Sequence, residues 1–135
     1  MANAKATSRP QGLRIVRTYR AQTTALLEKT AVMQGTADDQ VLNDTGSGVA
    51  CLGIVAEGAG AAAAADPVSV VIFGEAIAIA GGVIAPRMPL ITDGNGKLIS
   101  AAGTDAHIIA IALSTAAADT DEVLVFVKPD PKRSA

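Results

Sequence analysis

Residues 68–79 read VSVVIFGEAIAI, and this stretch decides the fold class. Val and Ile dominate it, and Gly74 divides it into two apolar runs, Val68–Phe73 and Glu75–Ile79. β-Branched runs of this length, bounded by Gly, Pro, Asn or Asp, are typical of strands. The stretch therefore predicts two short strands separated by a glycine.

Similar short runs follow one another along most of the chain. They are Ala31–Gln34, Gln40–Leu42, Cys51–Ala56, Leu90–Ile91, Lys97–Ser100, Ile108–Leu113 and Val123–Val127. Many short strands at this spacing predict an all-β fold, a compact sandwich or barrel with an extended N-terminal arm. The Ala-rich segment 58–66 is too short for an isolated helix and is predicted to be a loop.

Two segments of the chain echo each other. Residues 51–72 and 108–127 each hold an apolar strand, an Ala-rich connection with an aspartate, and a Val-rich strand. Cys51 aligns with Ile108, and Asp66 aligns with Asp121. Two equivalent hairpins in one domain would explain the echo, and so would biased composition.

The charge is unevenly distributed along the 135 residues. All 13 acidic residues lie from Glu28 onward, whereas five basic residues precede it: Lys5, Arg9, Arg14, Arg17 and Arg20. The predicted organisation is a basic arm over residues 1–28, a β-rich domain over 29–128 and a tail over 129–135. Alanine buries little area per residue, so the Ala-rich composition also favours self-association.

The arm is the main candidate for a contact surface with another protein or subunit. Its central segment, residues 13–20, alternates loosely between apolar and basic side chains, as an extended strand would. The predicted contact residues are Leu13, Arg14, Ile15, Arg17, Tyr19 and Arg20. Docking on an acidic protein surface is favoured over nucleic-acid binding, which would require more aromatic residues than Tyr19. A solvated tail is the remaining alternative.

The segment Asp93-Gly94-Asn95-Gly96-Lys97 could be a phosphate-binding loop or a hairpin turn. The glycine spacing differs from that of a P-loop, and Leu98 stands where Ser or Thr is required. Asp-Gly and Asn-Gly are favoured hairpin dipeptides, because Gly and Asn tolerate positive φ. Asp93, Gly94, Asn95 and Gly96 are therefore predicted to form a hairpin turn.

No catalytic, cofactor or metal site is predicted. His107 and Cys51 are the only residues of their types, so a zinc site of His and Cys ligands cannot be assembled. Ser47, Ser69 and Ser114 lack the G-x-S-x-G context of a hydrolase nucleophile. Two acidic clusters, Asp38-Asp39 and Asp119, Asp121 and Glu122, are predicted to lie in turns. The start of the chain does not read as a signal peptide, and no apolar run is long enough for a membrane helix.

Several segments together resemble tailed-phage capsid decoration proteins, also called cement or head-stabilising proteins. The resemblance lies in GIVAEG at 53–58, DPVSVVIFGEA at 66–76, PLITDGNGK at 89–97, IIAIAL at 108–113 and DEVLVFV at 121–127. Ala110 stands where that pattern usually has Gly, and PRMP at 86–89 replaces a Gly-Asp step. Residues 1–28 are not covered.

The resemblance implies a non-enzymatic structural protein of the virion, made in the host cytoplasm. Such a protein would bind the major capsid protein on the outer surface of the capsid, commonly as a homotrimer, and stabilise the expanded phage head. No membrane partner and no nucleic acid are expected. A small ligand-binding β-barrel, or a DNA-binding head component that uses the basic arm, is the alternative function.

Overall fold

The computed structural model describes residues 12–22, 26–43, 51–57, 62–101 and 108–128. Nine strands are found in these ranges: β1 Arg14–Ala21, β2 Ala31–Gln34, β3 Gln40–Asn43, β4 Gly53–Val55, β5 Pro67–Ile79, β6 Pro89–Thr92, β7 Leu98–Ser100, β8 Ala110–Ala112 and β9 Glu122–Val127. The predicted all-β class is confirmed. No helix in these ranges is long and apolar enough to cross a membrane.

The strand β5 is the element around which the sheet is built. The prediction of two separate strands at 68–73 and 75–79 is wrong, because the 13 residues of β5 are continuous. Gly74 does not end the strand, since its φ of 105° is accessible to glycine at little cost. The first half of β5 pairs with β1 and β4, and its second half pairs with β9.

The strands form two rings that share β5. The first ring runs through β5, β1, β3, β2 and β4, and the antiparallel pairing of β1 with β5 closes it. The second runs through β5, β9, β8, β6 and β7, and a parallel bridge between Ala80 and Leu98 closes it. This arrangement agrees with the barrel alternative of the predicted fold class. Closure pairs strands that would otherwise be open edges.

The two rings repeat the same local contacts. Leu26 and Ala62 exchange two backbone hydrogen bonds, of 2.9 and 3.0 Å, in the first half of the chain. Ile84 and Ala116 exchange the same pair of bonds, also of 2.9 and 3.0 Å, in the second half. The echo between residues 51–72 and 108–127 is thus part of a longer repeat, in which β1 to β5 correspond to β5 to β9.

Two large clusters of buried apolar side chains fill the described part of the chain: one lies within the first half, and the other combines the second half with Ala31, Cys51, Ile54, Ala56 and Val71 of the first. The first cluster includes Tyr19, Leu26, Val32, Val41, Val55, Val68 and Val70. The second includes Ala76, Ala78, Ala80, Ile84, Leu90, Leu98, Ala110, Ala112, Val123 and Val125. Alanine is prominent in the second cluster, which agrees with the expectation that core positions bury little area each.

The two aspartates that the repeat matches, Asp66 and Asp121, differ in burial and in hydrogen bonding. Asp121 is buried and its Oδ2 accepts hydrogen bonds from the Ala117 and Ala118 amides, both at 3.1 Å. Asp66 is exposed, and its Oδ2 accepts a hydrogen bond from the Ala63 amide at 3.0 Å. We expect Asp121→Ala to lower the free energy of unfolding by about 2 kcal/mol and Asp66→Ala by less than about 1 kcal/mol.

Urea unfolding of the two variants beside the parent protein measures this difference. Equal losses of unfolding free energy in the two variants would show that neither the burial of Asp121 nor its second amide hydrogen bond contributes to stability.

Candidate protein-binding surface

The predicted arm residues take up different positions in the structure. Residues 14–21 form β1, which is antiparallel to β5 and parallel to β3. Leu13 precedes the strand and is 81% exposed, and Ile15 is 48% exposed opposite Phe73. Tyr19, in contrast, is buried in the first core cluster. The arm segment therefore belongs to the sheet of its own chain and presents only some of its predicted contact residues to solvent.

The three described arginines of the arm have partners within the same chain. One guanidinium nitrogen of Arg14, Nη1, donates to both carboxylate oxygens of Glu57, at 2.9 and 3.1 Å. Arg17 lies over the ring of Tyr19, 5.3 Å from its centroid. The Nε of Arg20 is 3.3 Å from Asp39 in an exposed pair. Exposed pairs of this kind contribute little to stability and leave their charges accessible to a partner.

The segment Asp93–Gly96 lies between the paired strands β6 and β7. Asp93 Oδ1 accepts hydrogen bonds from the Asn95 amide at 2.8 Å and from the Lys97 amide at 3.2 Å. Gly94 and Gly96 have φ values of 92° and 83°, which favour glycine. Because both amides donate to the Asp93 side chain, these hydrogen bonds stabilise the turn.

The same turn touches the first half of the chain. The Ala31 amide donates to the carbonyl of Gly96 at 2.8 Å. Within the second half, the ammonium group of Lys97 following the turn is 3.1 Å from Asp119. The turn therefore joins the two rings.

No local sequence pattern indicates the ion pair that lies at the junction of the two halves. Lys29 Nζ lies 2.6 Å from Glu122 Oε2 and 3.2 Å from Glu28 Oε1, and Glu122 is buried. The hydrogen bond to Glu122 raises the pKa of Lys29, although partial burial of the ammonium group opposes this change. Lys29 also borders an open cleft of about 360 Å³ that is lined by Leu27, Thr30, Ile79 and Lys97.

Other residues weighed as chemical candidates are held in structural contacts. Ser114 Oγ accepts a hydrogen bond from the Leu124 amide at 2.9 Å. Cys51 is buried, and its Sγ donates toward the carbonyls of Val32 and Gly53. His107 and Ser47 lie outside the described residues. Among the residues that the structure describes, no three His, Cys, Asp or Glu side chains are grouped as metal ligands.

An apolar surface across four strands was also missed from the sequence. Its central residues are Ile15 on β1, Phe73 on β5, Phe126 on β9 and Ile111 on β8, and we call this surface the apolar face. The rings of Phe73 and Phe126 meet edge to face with centroids 5.3 Å apart. Both phenylalanines of the chain are here. No regular alternation in β5 or β9 marks the two phenylalanines as outward-facing, and only strand pairing shows that they are adjacent.

A comparison with solved structures finds the fold in a phage protein. The chain is similar to the crystal structure of the head fiber gp8.5 N base of bacteriophage phi29, with a TM-score of 0.62. The match covers 86% of this chain and 95% of that one, at 14% sequence identity. At this identity the likeness establishes a shared fold. No family model and no curated protein matches the chain.

Proposed function

We propose that this protein is a structural component of a phage head that binds the outer surface of the major capsid protein lattice and stabilises the expanded shell. The observation that carries the proposal is the shared fold with a head fiber base, which extends over nearly the full length of both chains. The segments that resemble capsid decoration proteins support it independently, because they were identified from the sequence alone.

The proposed role is non-enzymatic and the proposed partners are the major capsid protein and further copies of the chain, as a homotrimer. Many weak contacts, repeated over a shell, would add up to firm attachment through multivalency. A small homotrimer would supply three such contacts at each position.

Cosedimentation with heads stripped of the protein tests the proposal. We expect saturable binding at a fixed ratio to the major capsid protein, because a lattice offers a set number of equivalent positions. Heads that still carry the protein are the matched control and should take up little more. Absence of saturable binding to stripped, expanded heads would refute the proposed function.

The test should not rely on deleting residues 1–20. That deletion would remove most of β1, including buried Tyr19, from the first core cluster. A loss of binding to heads could then result either from an altered fold or from the loss of a contact with the capsid. Substitutions of exposed residues separate the two effects.

A further inference from the structure

Each ring carries a row of four residues that lie directly opposite one another on adjacent antiparallel strands, and such residues project from the same side of a sheet. In the first ring the row crosses β1, β5, β4 and β2, and its members are Val16, Val71, Ile54 and Ala31. In the second ring the row crosses β5, β9, β8 and β6, and its members are Glu75, Phe126, Ile111 and Pro89. Because β1 to β5 correspond to β5 to β9, the two rows match residue by residue.

The first row is a contact surface inside the molecule. Val71, Ile54 and Ala31 are each 0% exposed, and they share one buried cluster with residues of the second half. The remaining member, Val16, is 42% exposed and matches Glu75 of the second row. The carboxylate of Glu75 therefore stands at a position that the internal contact leaves uncovered.

The second row is open to solvent in the part of the chain that the structure describes. Ile111 is 40% exposed, Pro89 is exposed and Phe126 is half-buried. Beside the row, Leu113 is 43% exposed, and it matches Ala56, which is buried in the shared cluster. The side of the apolar face formed by Ile111 and Phe126 thus corresponds to the surface through which the first ring packs on the second half.

The second ring shows how such a contact is received. The Ile79 amide donates to the Lys29 carbonyl at 3.1 Å, and the Gly96 carbonyl accepts from the Ala31 amide at 2.8 Å. Glu122 adds its ion pair with the Lys29 ammonium group. The chain segment around Lys29 is therefore held between Ile79 and Gly96.

The first ring has a matching site that holds no such segment of the described chain. Strand pairing identifies the residues that correspond to the receiving residues of the second ring as Arg20, Asp39 and Pro67. They line an open groove of about 330 Å³, which we call the groove. The Arg20 amide donates to the Asp39 carbonyl at 2.7 Å. The two backbone groups that would receive a segment thus bond to each other.

We propose that the Ile111–Phe126 side of the apolar face docks at the groove of a second copy of this chain, in the relation that the first ring has to the second half. This inference rests on the proposed function and names the surfaces through which the copies of its homotrimer meet. A contact between two different surfaces closes into a ring or grows into a filament. A homotrimer is a closed ring of this kind.

The charges on the two surfaces are complementary. Arg87 matches Lys29, because both have a φ of 65° and the Arg87 amide donates to the Ala112 carbonyl as the Lys29 amide donates to Val55. Arg87 is exposed, and Asp39 provides an exposed carboxylate in the groove. We expect Arg87 of one copy to pair with Asp39 of the next, in place of the internal ion pair of Lys29.

Two differences make this contact weaker than the internal one. Pro89 has no amide hydrogen, so it cannot donate as the matching Ala31 does, and the Asp39 carbonyl keeps its bond from the Arg20 amide. The Arg20 side chain also brings a positive charge to the groove, but its pair with Asp39 is exposed and contributes little. Association of the copies should therefore be reversible and depend on protein concentration.

A charge swap tests the contact. Arg87→Glu and Asp39→Lys should each raise the concentration of half-assembly by at least about tenfold, because each brings like charges together. The double variant Arg87→Glu/Asp39→Lys should assemble within about threefold of the parent, since it restores the pair with reversed signs. Arg87→Lys keeps the charge and is the matched control. Sedimentation over a series of protein concentrations measures assembly.

Mixing two variants tests that the two surfaces differ. Ile111→Glu damages the apolar face and Asp39→Lys damages the groove, so each variant alone should sediment as a monomer. Their mixture retains one intact face and one intact groove and should form a heterodimer. A two-fold pairing of the face with itself would give no complex in this mixture, and that result would overturn the inference. Thermal melting verifies that each variant is folded.

The outcomes separate this inference from the proposed function. A parent protein that stays monomeric, or an oligomer that none of these substitutions weakens, would overturn the inference. Saturable binding of such a protein to stripped heads would leave the capsid role standing. An oligomer that responds as expected, but does not bind heads, would refute the capsid role alone.

Discussion

Replacing Gly74 with alanine is expected to lower the free energy of unfolding by roughly 3–5 kcal/mol. A Cβ atom at this position would lie 2.4 Å from the Leu13 carbonyl oxygen and 2.6 Å from the Arg14 Cα. Both are backbone atoms of the neighbouring strand, so no side-chain movement relieves the overlap. The φ of 105° adds strain for any residue with a Cβ. The substitution would therefore push β1 away from β5.

Gly82→Ala is the matched control for this prediction. A Cβ atom at Gly82 would meet no heavy atom within 4 Å, so its cost should stay within about 0.5 kcal/mol. Denaturant unfolding of both variants measures the difference. Similar stabilities of the two would mean that β1 can shift on β5 without loss, contrary to its role in closing the first ring.

The second large effect is expected at the Lys29–Glu122 pair. Lys29→Met should lower the free energy of unfolding by about 3 kcal/mol, because it removes the ammonium group that lies 2.6 Å from the buried carboxylate of Glu122. The comparable change Lys97→Met removes an ion pair with Asp119, whose side chain is 61% exposed, and should cost less than about 1 kcal/mol. If Lys29→Met were no more costly than Lys97→Met, the pair would not be a stabilising link between the halves.

The pH dependence of this pair has a defined sign. The pKa of Lys29 is raised in the folded protein above its ordinary value of 10.5, mainly by the hydrogen bond to Glu122. Folding therefore favours the protonated form, and the resulting stability is fully present below pH 10.5. It is lost as the pH rises through the folded-state pKa. The stability difference between the parent protein and Lys29→Met should stay constant near neutrality and narrow above pH 10.5.

Local patterns in the sequence were sufficient for the fold class and most strand positions. Runs such as Ala31–Gln34 and Val123–Val127 correctly predicted strands, because each holds β-branched residues and is bounded by turn residues. Gly74 misled the same reasoning, since glycine can end a strand or continue it through a conformation that other residues avoid. The parallel pairing of β1 with β3 had no local signal at all.

The candidate surface was less predictable than the fold. Alternation indicates that β1 has two faces, but a single segment does not show which face meets the core. Tyr19 is therefore among the predicted contact residues, although the structure buries it. Lys29 and Glu122 are 93 residues apart, a separation that no local motif spans. The apolar face depends on the register of four strands. These features require the three-dimensional pairing that only the structure supplies.

The shared strand β5 has a practical consequence for carrying foreign peptides. The start of β1 and the end of β9 both pair with Gly74, beside the apolar face. From Gly74, β5 runs to Ile79, about 16 Å of extended chain, before it reaches the open surroundings of Gly82. A peptide inserted at Gly82 would thus be displayed at a distance from the apolar face and would leave that face unobstructed.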